Sequence, residues 1–142
     1  MSPCIKCAQL ADPSSITVVY EDPSWVGVSS FGVPGAFQLI ARRHIEGLWN
    51  LSDLEASQLG LAITKVSKAI LGAIDAERVY VEAFGEDTLH AHVLLLARTP
   101  RVPMDARRGA FLGRKSEFVD ATRATEVSLR LRRLLLNEVT GC

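Results

Sequence analysis

Three histidines and three cysteines are the residues of this 142-residue chain best suited to metal or phosphoryl chemistry. Two of the histidines lie two apart in His90-Ala91-His92-Val93-Leu94-Leu95-Leu96. That run alternates and then turns apolar, which predicts a strand buried on at least one face. Side chains two apart on a strand share a face, so His90, His92 and Leu94 are expected to line up. Near the other end, Cys4-x-x-Cys7 supports three chemistries: a redox pair, half of a zinc site, or ordinary buried thiols. A redox pair wants the motif at a helix start behind a strand, where the helix dipole lowers a thiol pKa. Here it opens the chain ahead of any predicted strand. Zinc wants further soft or borderline ligands to close a tetrahedron. The sequence offers His44, His90, His92 and the terminal Cys142.

Composition narrows what these residues can serve. The formal net charge is zero, which gives no support to a nucleic-acid binder working through bulk electrostatics. With 48% hydrophobic residues the chain is expected to be one domain, 1–142, with a substantial core and apolar surface left for a subunit interface. No run approaches the roughly 18 consecutive apolar residues of a membrane span. The N-terminus lacks the apolar core of a signal peptide. A soluble, cytoplasmic protein is expected, with no membrane partner. Three cysteines do not make a disulfide framework.

The elements that must position the histidines read as follows. Ile16–Tyr20 and Trp25–Ser29 flank the turn signal Glu21-Asp22-Pro23-Ser24 and predict a hairpin. Residues 1–14 read as an extended arm, and Ala36–Ala41 as a third strand running into Arg42-Arg43-His44. Ser52-Asp53-Leu54-Glu55 is a capping box. The apolar stripe Leu59, Ile63, Val66, Ile70 and Ile74 then carries a long helix to about Ala76. Arg78–Phe84 predicts a fourth strand, antiparallel to the histidine strand. Residues 100–117 read as irregular and overlap a basic stretch from Arg98 to Lys115 that is either a solvated loop or a cover over an anionic ligand. A second helix starts near Asp120, with Val127, Leu131 and Leu134 on one side. Trp25 and Trp49 are expected in the core or at an interface. The class is α+β: an antiparallel sheet of about five strands, one long central helix and a C-terminal helix.

Taken together, these residues resemble the histidine triad (HIT) family, whose signature is His-φ-His-φ-His-φ-φ on a strand. The resemblance rests on Phe84-Gly85-Glu86 followed by His90-Ala91-His92-Val93-Leu94-Leu95-Leu96, and on Pro34-Gly35, Arg42-Arg43-His44, Leu48 and Leu51 ahead of the long helix. It covers about residues 4–98; the basic loop and C-terminal helix of 99–142 lie outside it. It implies a homodimer and a hydrolase or transferase acting on a nucleotide or related phospho-compound. The middle histidine, His92, would attack the α-phosphorus to form a covalent nucleotidyl-histidine. It further implies a structural zinc on Cys4, Cys7, His44 and His90. A shifted register, with Thr88 first and His90 as nucleophile, satisfies strand parity but removes a zinc ligand.

The sequence departs from the family pattern at the third motif position, which is Leu94. It departs again at Glu86 and Asp87, where a carboxylate would repel a phosphate unless a cation intervenes. A residue that binds ribose hydroxyls would fall near Ser29 or Ser30. These departures leave a second reading open, in which His92 is a relic of a catalytically degenerate domain that binds a ligand or partner.

Overall fold

The computed structural model describes residues 3–140, so Cys142 lies outside the described residues. Five strands form one antiparallel sheet: β1 (Val18–Glu21), β2 (Trp25–Ser29), β3 (Ala36–Ala41), β4 (Arg78–Glu82) and β5 (His92–Arg98). Their spatial order is β1-β2-β3-β5-β4, so the histidine strand is inserted beside β3 with β4 outside it. Two long helices, α2 (Asp53–Ala73) and α4 (Ala121–Thr140), accompany the sheet. Class, strand count and the pairing of β4 with β5 agree with the sequence reading.

Local chemistry explains the turns. Between β1 and β2, Asp22 Oδ1 accepts the backbone N–H groups of Ser24 at 2.7 Å and Trp25 at 2.6 Å, which closes the hairpin. Before β3, Gly35 adopts φ +81° and lies so close to β5 that a Cβ would sit 2.5 Å from the Ala97 Cβ. Its carbonyl accepts the Ala97 N–H at 2.9 Å. Helix α2 starts as the capping box requires: Ser52 Oγ accepts the Glu55 N–H at 3.2 Å and Glu55 Oε1 accepts the Ser52 N–H at 2.9 Å.

Alternation along β3 and β5 divides the core in two. Phe37, Leu39 and Ala41 with Val93, Leu95 and Ala97 point to one face and bury against Leu59, Val66 and Ile70 of α2 and Leu131 of α4. Each such large side chain contributes roughly 1.5–3 kcal/mol on burial. Gln38, Ile40, His92, Leu94 and Leu96 point the other way. That second face is covered at one end by Leu10, which packs with Val26, Val28 and Ile40. At its other end Val102, Ala106 and Phe111 pack on Ala36, Leu94 and Leu96. The two covers leave an opening above His92.

Three expectations need correction, and the two tryptophans divide between the alternatives given for them. The N-terminal arm is not extended: Ile5–Ala11 form helix α1, bracketed by the Pro3 and Pro13 that suggested a coil. The stretch after Pro100 is not wholly irregular, since Ala110–Gly113 form the single turn α3 between two 3-10 turns. Strand β5 begins at His92, with His90 in a bend just ahead of it, so the two imidazoles do not share one pleated strand. Trp49 is 79% exposed, whereas Trp25 is fully buried and donates Nε1–H to the Glu55 carbonyl at 2.9 Å.

Candidate metal centre and adjoining pocket

The exit of β3 and the entry of β5 are stitched together beyond the regular ladder. Ala41 N–H donates to the Ala91 carbonyl at 3.1 Å and Ala91 N–H donates to the Ile45 carbonyl at 2.7 Å. This brings His44 and His90 edge to face, with ring centroids 5.0 Å apart. Helix α1 lies over the same spot. Cys4 stands at its N-cap and Cys7 three residues on, a spacing that puts both thiols on one side of a helical turn. The loop carrying His44 is anchored by Arg43, whose guanidinium forks onto both Glu55 oxygens at 2.8 and 3.2 Å. Arg43 first, then the Ser52 N–H, hold the Glu55 carboxyl down to about 2.

The four donor atoms converge. His90 Nδ1 lies 3.3 Å from Cys4 Sγ, 3.5 Å from Cys7 Sγ and 3.2 Å from His44 Nδ1. Cys7 Sγ lies 3.3 Å from His44 Nδ1, and all four atoms fall within 4.8 Å of one another. Zinc–nitrogen bonds of about 2.0–2.1 Å and zinc–sulfur bonds of about 2.3 Å in a tetrahedron give nitrogen–nitrogen edges near 3.3 Å and nitrogen–sulfur edges near 3.5 Å. The four separations just given, 3.2 to 3.5 Å, are close to those edges. The tautomer agrees as well: His90 Nε2 stands 2.7 Å from the Ala41 carbonyl, an acceptor, so Nε2 carries the proton and Nδ1 presents a lone pair to the centre. His90 is fully buried, and burial is the first cause that disfavours its charged form. Burial first, then the neighbouring Cys4, push the Cys7 thiol up. A divalent cation reverses that cost, because a coordinated thiol ionises. The donor set fits a zinc site.

Two residues further on, His92 faces a different environment. Its Nδ1 lies 2.7 Å from the His90 carbonyl oxygen and therefore carries the proton, which leaves Nε2 as the basic nitrogen. Burial lowers the pKa of His92, favouring the neutral ring. The side chain lines a cavity of about 220 Å³ on the second sheet face. Leu94 and Gln38, directly paired across β5 and β3, continue its floor, and Glu82 of β4 stands opposite Leu94 on the other side. Glu82 Oε2 is buried with no hydrogen-bond partner among the described residues, and burial raises its pKa. The walls are Lys6 from α1, Phe31 with Lys115 (Nζ 5.1 Å from the ring centroid), and the Phe84–Thr88 loop.

The sequence-predicted metal residues Cys4, Cys7, His44 and His90 are thus brought together, and His92 is set apart from them at the cavity. Glu86 and Asp87 do line that cavity, as their positions before the histidines suggested, whereas Ser29 and Ser30 do not. Of the basic stretch only Lys115 reaches it; Arg114 is occupied by Asp105 and Glu117. Sequence reasoning missed Lys6, Gln38 and Glu82. Lys6 was legible in one respect, since it lies between the two cysteines and must travel with them. A larger cavity, of about 420 Å³, lies between the 99–120 segment and the start of α4, lined by Val33, Ile74 and Phe118 with Arg101 and Arg123.

No family model matches the sequence, and no curated protein matches it. Solved structures do, and they define the class: the chain has the histidine-triad fold. A zinc-bound histidine triad family protein from Mycobacterium smegmatis is 17% identical with a TM-score of 0.75, over 98% of this chain and 97% of that one. A hypothetical histidine triad nucleotide-binding protein from Sulfolobus tokodaii is 16% identical with a TM-score of 0.74, over 94% and 93%. A Hit-like protein involved in cell-cycle regulation from Bartonella henselae is 17% identical with a TM-score of 0.68, over 89% and 93%. Among the described residues no helix is long and apolar enough to cross a membrane.

Proposed function

We propose that this chain is a divergent histidine-triad hydrolase or transferase for a nucleotide or related phospho-compound, with His92 as nucleophile and a structural zinc on Cys4, Cys7, His44 and His90. The observation that carries the reading is the tautomer of His92. With Nδ1–H donated to the His90 carbonyl, Nε2 is left as a lone pair on a side chain that lines the cavity. That nitrogen attacks the phosphorus, a phosphorus–nitrogen bond forms, and the bond to the leaving group breaks with its electron pair, which is then protonated. Water or another acceptor then attacks the nucleotidyl-histidine, loses its proton to solvent, and breaks the phosphorus–nitrogen bond, which restores the ring. Covalent catalysis of this kind divides one displacement into two easier ones. Cys4, Cys7, His44 and His90 would hold the zinc, which would tie α1 to the His44 loop, and the His90 carbonyl orients His92. The unpaired outer edge of β4, where Val81 is exposed, supports assembly as a homodimer.

Incubation with a panel of nucleoside phosphoramidates, followed by intact-mass analysis after acid-free quench, tests the chemistry. A nucleotidyl adduct that maps to His92 is expected, and it is absent from His92→Ala. A second reading, a binding domain that turns nothing over, is favoured by Leu94, which is 6% exposed and packed into an apolar cluster, and by Glu86 and Asp87 at the cavity wall. Nucleotide binding without any adduct across the panel would select it.

A further inference from the structure

The cavity beside His92 presents a charge problem to any phosphoryl group. Glu82, Glu86 and Asp87 line it, and a carboxylate within a few ångströms repels a phosphate. Two side-chain cations are available among its lining residues, Lys6 and Lys115. Lys115 has its Nζ 5.1 Å from the Phe31 ring centroid, on a cavity wall. Lys6 is placed differently. It belongs to α1, between the two cysteines in sequence but off the side they share, and its Nζ donates to Gln38 Oε1 at 2.5 Å. Gln38 is a buried residue of the floor, paired in register with Leu94 on the histidine strand, and its amide nitrogen lies 3.4 Å from Ser30 Oγ. The carbonyl end of that amide thus has a fixed job, to seat an ammonium over the row next to His92. A lysine ammonium has three protons. One is spent on Gln38, and no other side chain of the described residues takes the remaining two within hydrogen-bond distance.

We infer that Lys6 is the phosphoryl-binding cation of this pocket, delivered to the floor by the same helix that carries the thiol pair and held there by Gln38. This deepens the proposed function and rests on its placement of a phosphoryl group at His92. Lys6 offsets the acidic wall, draws the phosphoryl oxygens toward the β3 side and leaves the phosphorus facing the imidazole. It also explains why the arm is a helix that lies across the sheet: only a fixed arm can hold a flexible lysine stem at a defined point.

The test compares wild type with Lys6→Gln and Lys6→Arg, each checked for metal content and melting temperature. Probes are adenosine 5′-monophosphate, adenosine and inorganic phosphate, measured by calorimetry at two salt concentrations. Loss of a charge-assisted contact predicts that K6Q weakens adenosine monophosphate and phosphate by about 10- to 100-fold. Adenosine affinity and metal content should be unchanged, K6R should recover most of the loss, and the salt dependence of K6Q should be flatter. Equal weakening of adenosine and its monophosphate, or loss of metal in K6Q, would make Lys6 a purely structural anchor and overturn the inference. So would wild-type affinity for the phosphate probes in a metal-replete K6Q, or a wild type that binds neither of them. If the phosphate probes bind in a Lys6-dependent way but no adduct forms on His92, the inference stands and the covalent reading of the site falls.

Discussion

His90 and His92 are separated by one alanine, and their surroundings give them opposite fates. His90 has both nitrogens committed: Nε2–H to the Ala41 carbonyl and Nδ1 to a ring of two sulfurs and a second imidazole. His92 commits only Nδ1, to the carbonyl of His90 itself, and its other nitrogen has no partner among the described residues. One centre gathers four convergent donors, the full set of a structural zinc. The other is an open cavity walled by charges of both signs. The difference does not come from the residue type. It comes from which backbone carbonyl each ring finds, and so from the irregular join ahead of β5.

Substitutions can break this contrast. The largest effect is expected from His92→Ala, which should reduce nucleotidyl transfer by about 10⁴-fold or more, as loss of a covalent nucleophile does elsewhere. Metal content, read by elemental analysis of the same sample, should stay at the wild-type value. An active H92A would remove the distinction between the two rings. Cys7→Ser should do the reverse in kind: the metal is lost, and stability falls by on the order of 3 kcal/mol for a ligand present at a hundredfold or more above its Kd. For a chain of this length that corresponds to roughly 10 °C in a calorimetric scan. Unchanged melting with metal absent would mean that the four-donor centre is not structural.

A smaller effect probes the support of the four-donor side. Glu55→Gln keeps an amide that can still cap α2 but discards the fork with Arg43, at a cost of about 1 kcal/mol in chemical denaturation. The acid behaviour follows from the sign of the shift. Glu55 has its pKa lowered on folding, so its contribution is complete above the ordinary carboxylate range near 4.5 and is lost as pH falls from there toward 2. Stability measured between pH 5 and 2 should therefore decline less steeply in E55Q than in wild type. The smallest change is a control that touches neither centre. Gly60 lies in mid-helix with nothing within 4 Å of an added Cβ, so Gly60→Ala should stabilise by about 1 kcal/mol and leave metal and adduct formation alone.

Much of this arrangement was legible in the residues, for physical reasons. The capping box at Ser52 and Glu55 and the 3.6-period stripe through Leu59, Val66 and Ile70 located α2 because they are local signals. The expected bounds of β3, Ala36–Ala41, are those observed, and the apolar run after the histidines located β5. What failed was position-specific. Prolines at 3 and 13 were read as coil when they bound a helix, because a proline is tolerated at a helix start and just beyond its end. The pleat was extended through His90 because parity cannot see a bend. Trp49, expected in the core or at an interface, lies outside the core: it follows Gly47 in the loop before α2, and its ring lies over that glycine, where an added Cβ would meet it at 2.4 Å. Lys6, Gln38 and Glu82 were invisible as a group, since they come from three elements that only the folded sheet brings to one cavity.

The span of the thiol–imidazole cluster has a consequence for how this polypeptide is made. Cys4 and His90 are 86 residues apart, and Cys7 and His44 are separated by 37. Joining ends that distant costs an unanchored chain about 4 kcal/mol in closure entropy. A nascent chain on the ribosome cannot gather all four donors until His90 has been synthesised and has cleared the exit tunnel. In the proposed zinc form, metal loading is therefore a late event in biogenesis, and release of the ion removes one tie that spans more than half of the polypeptide.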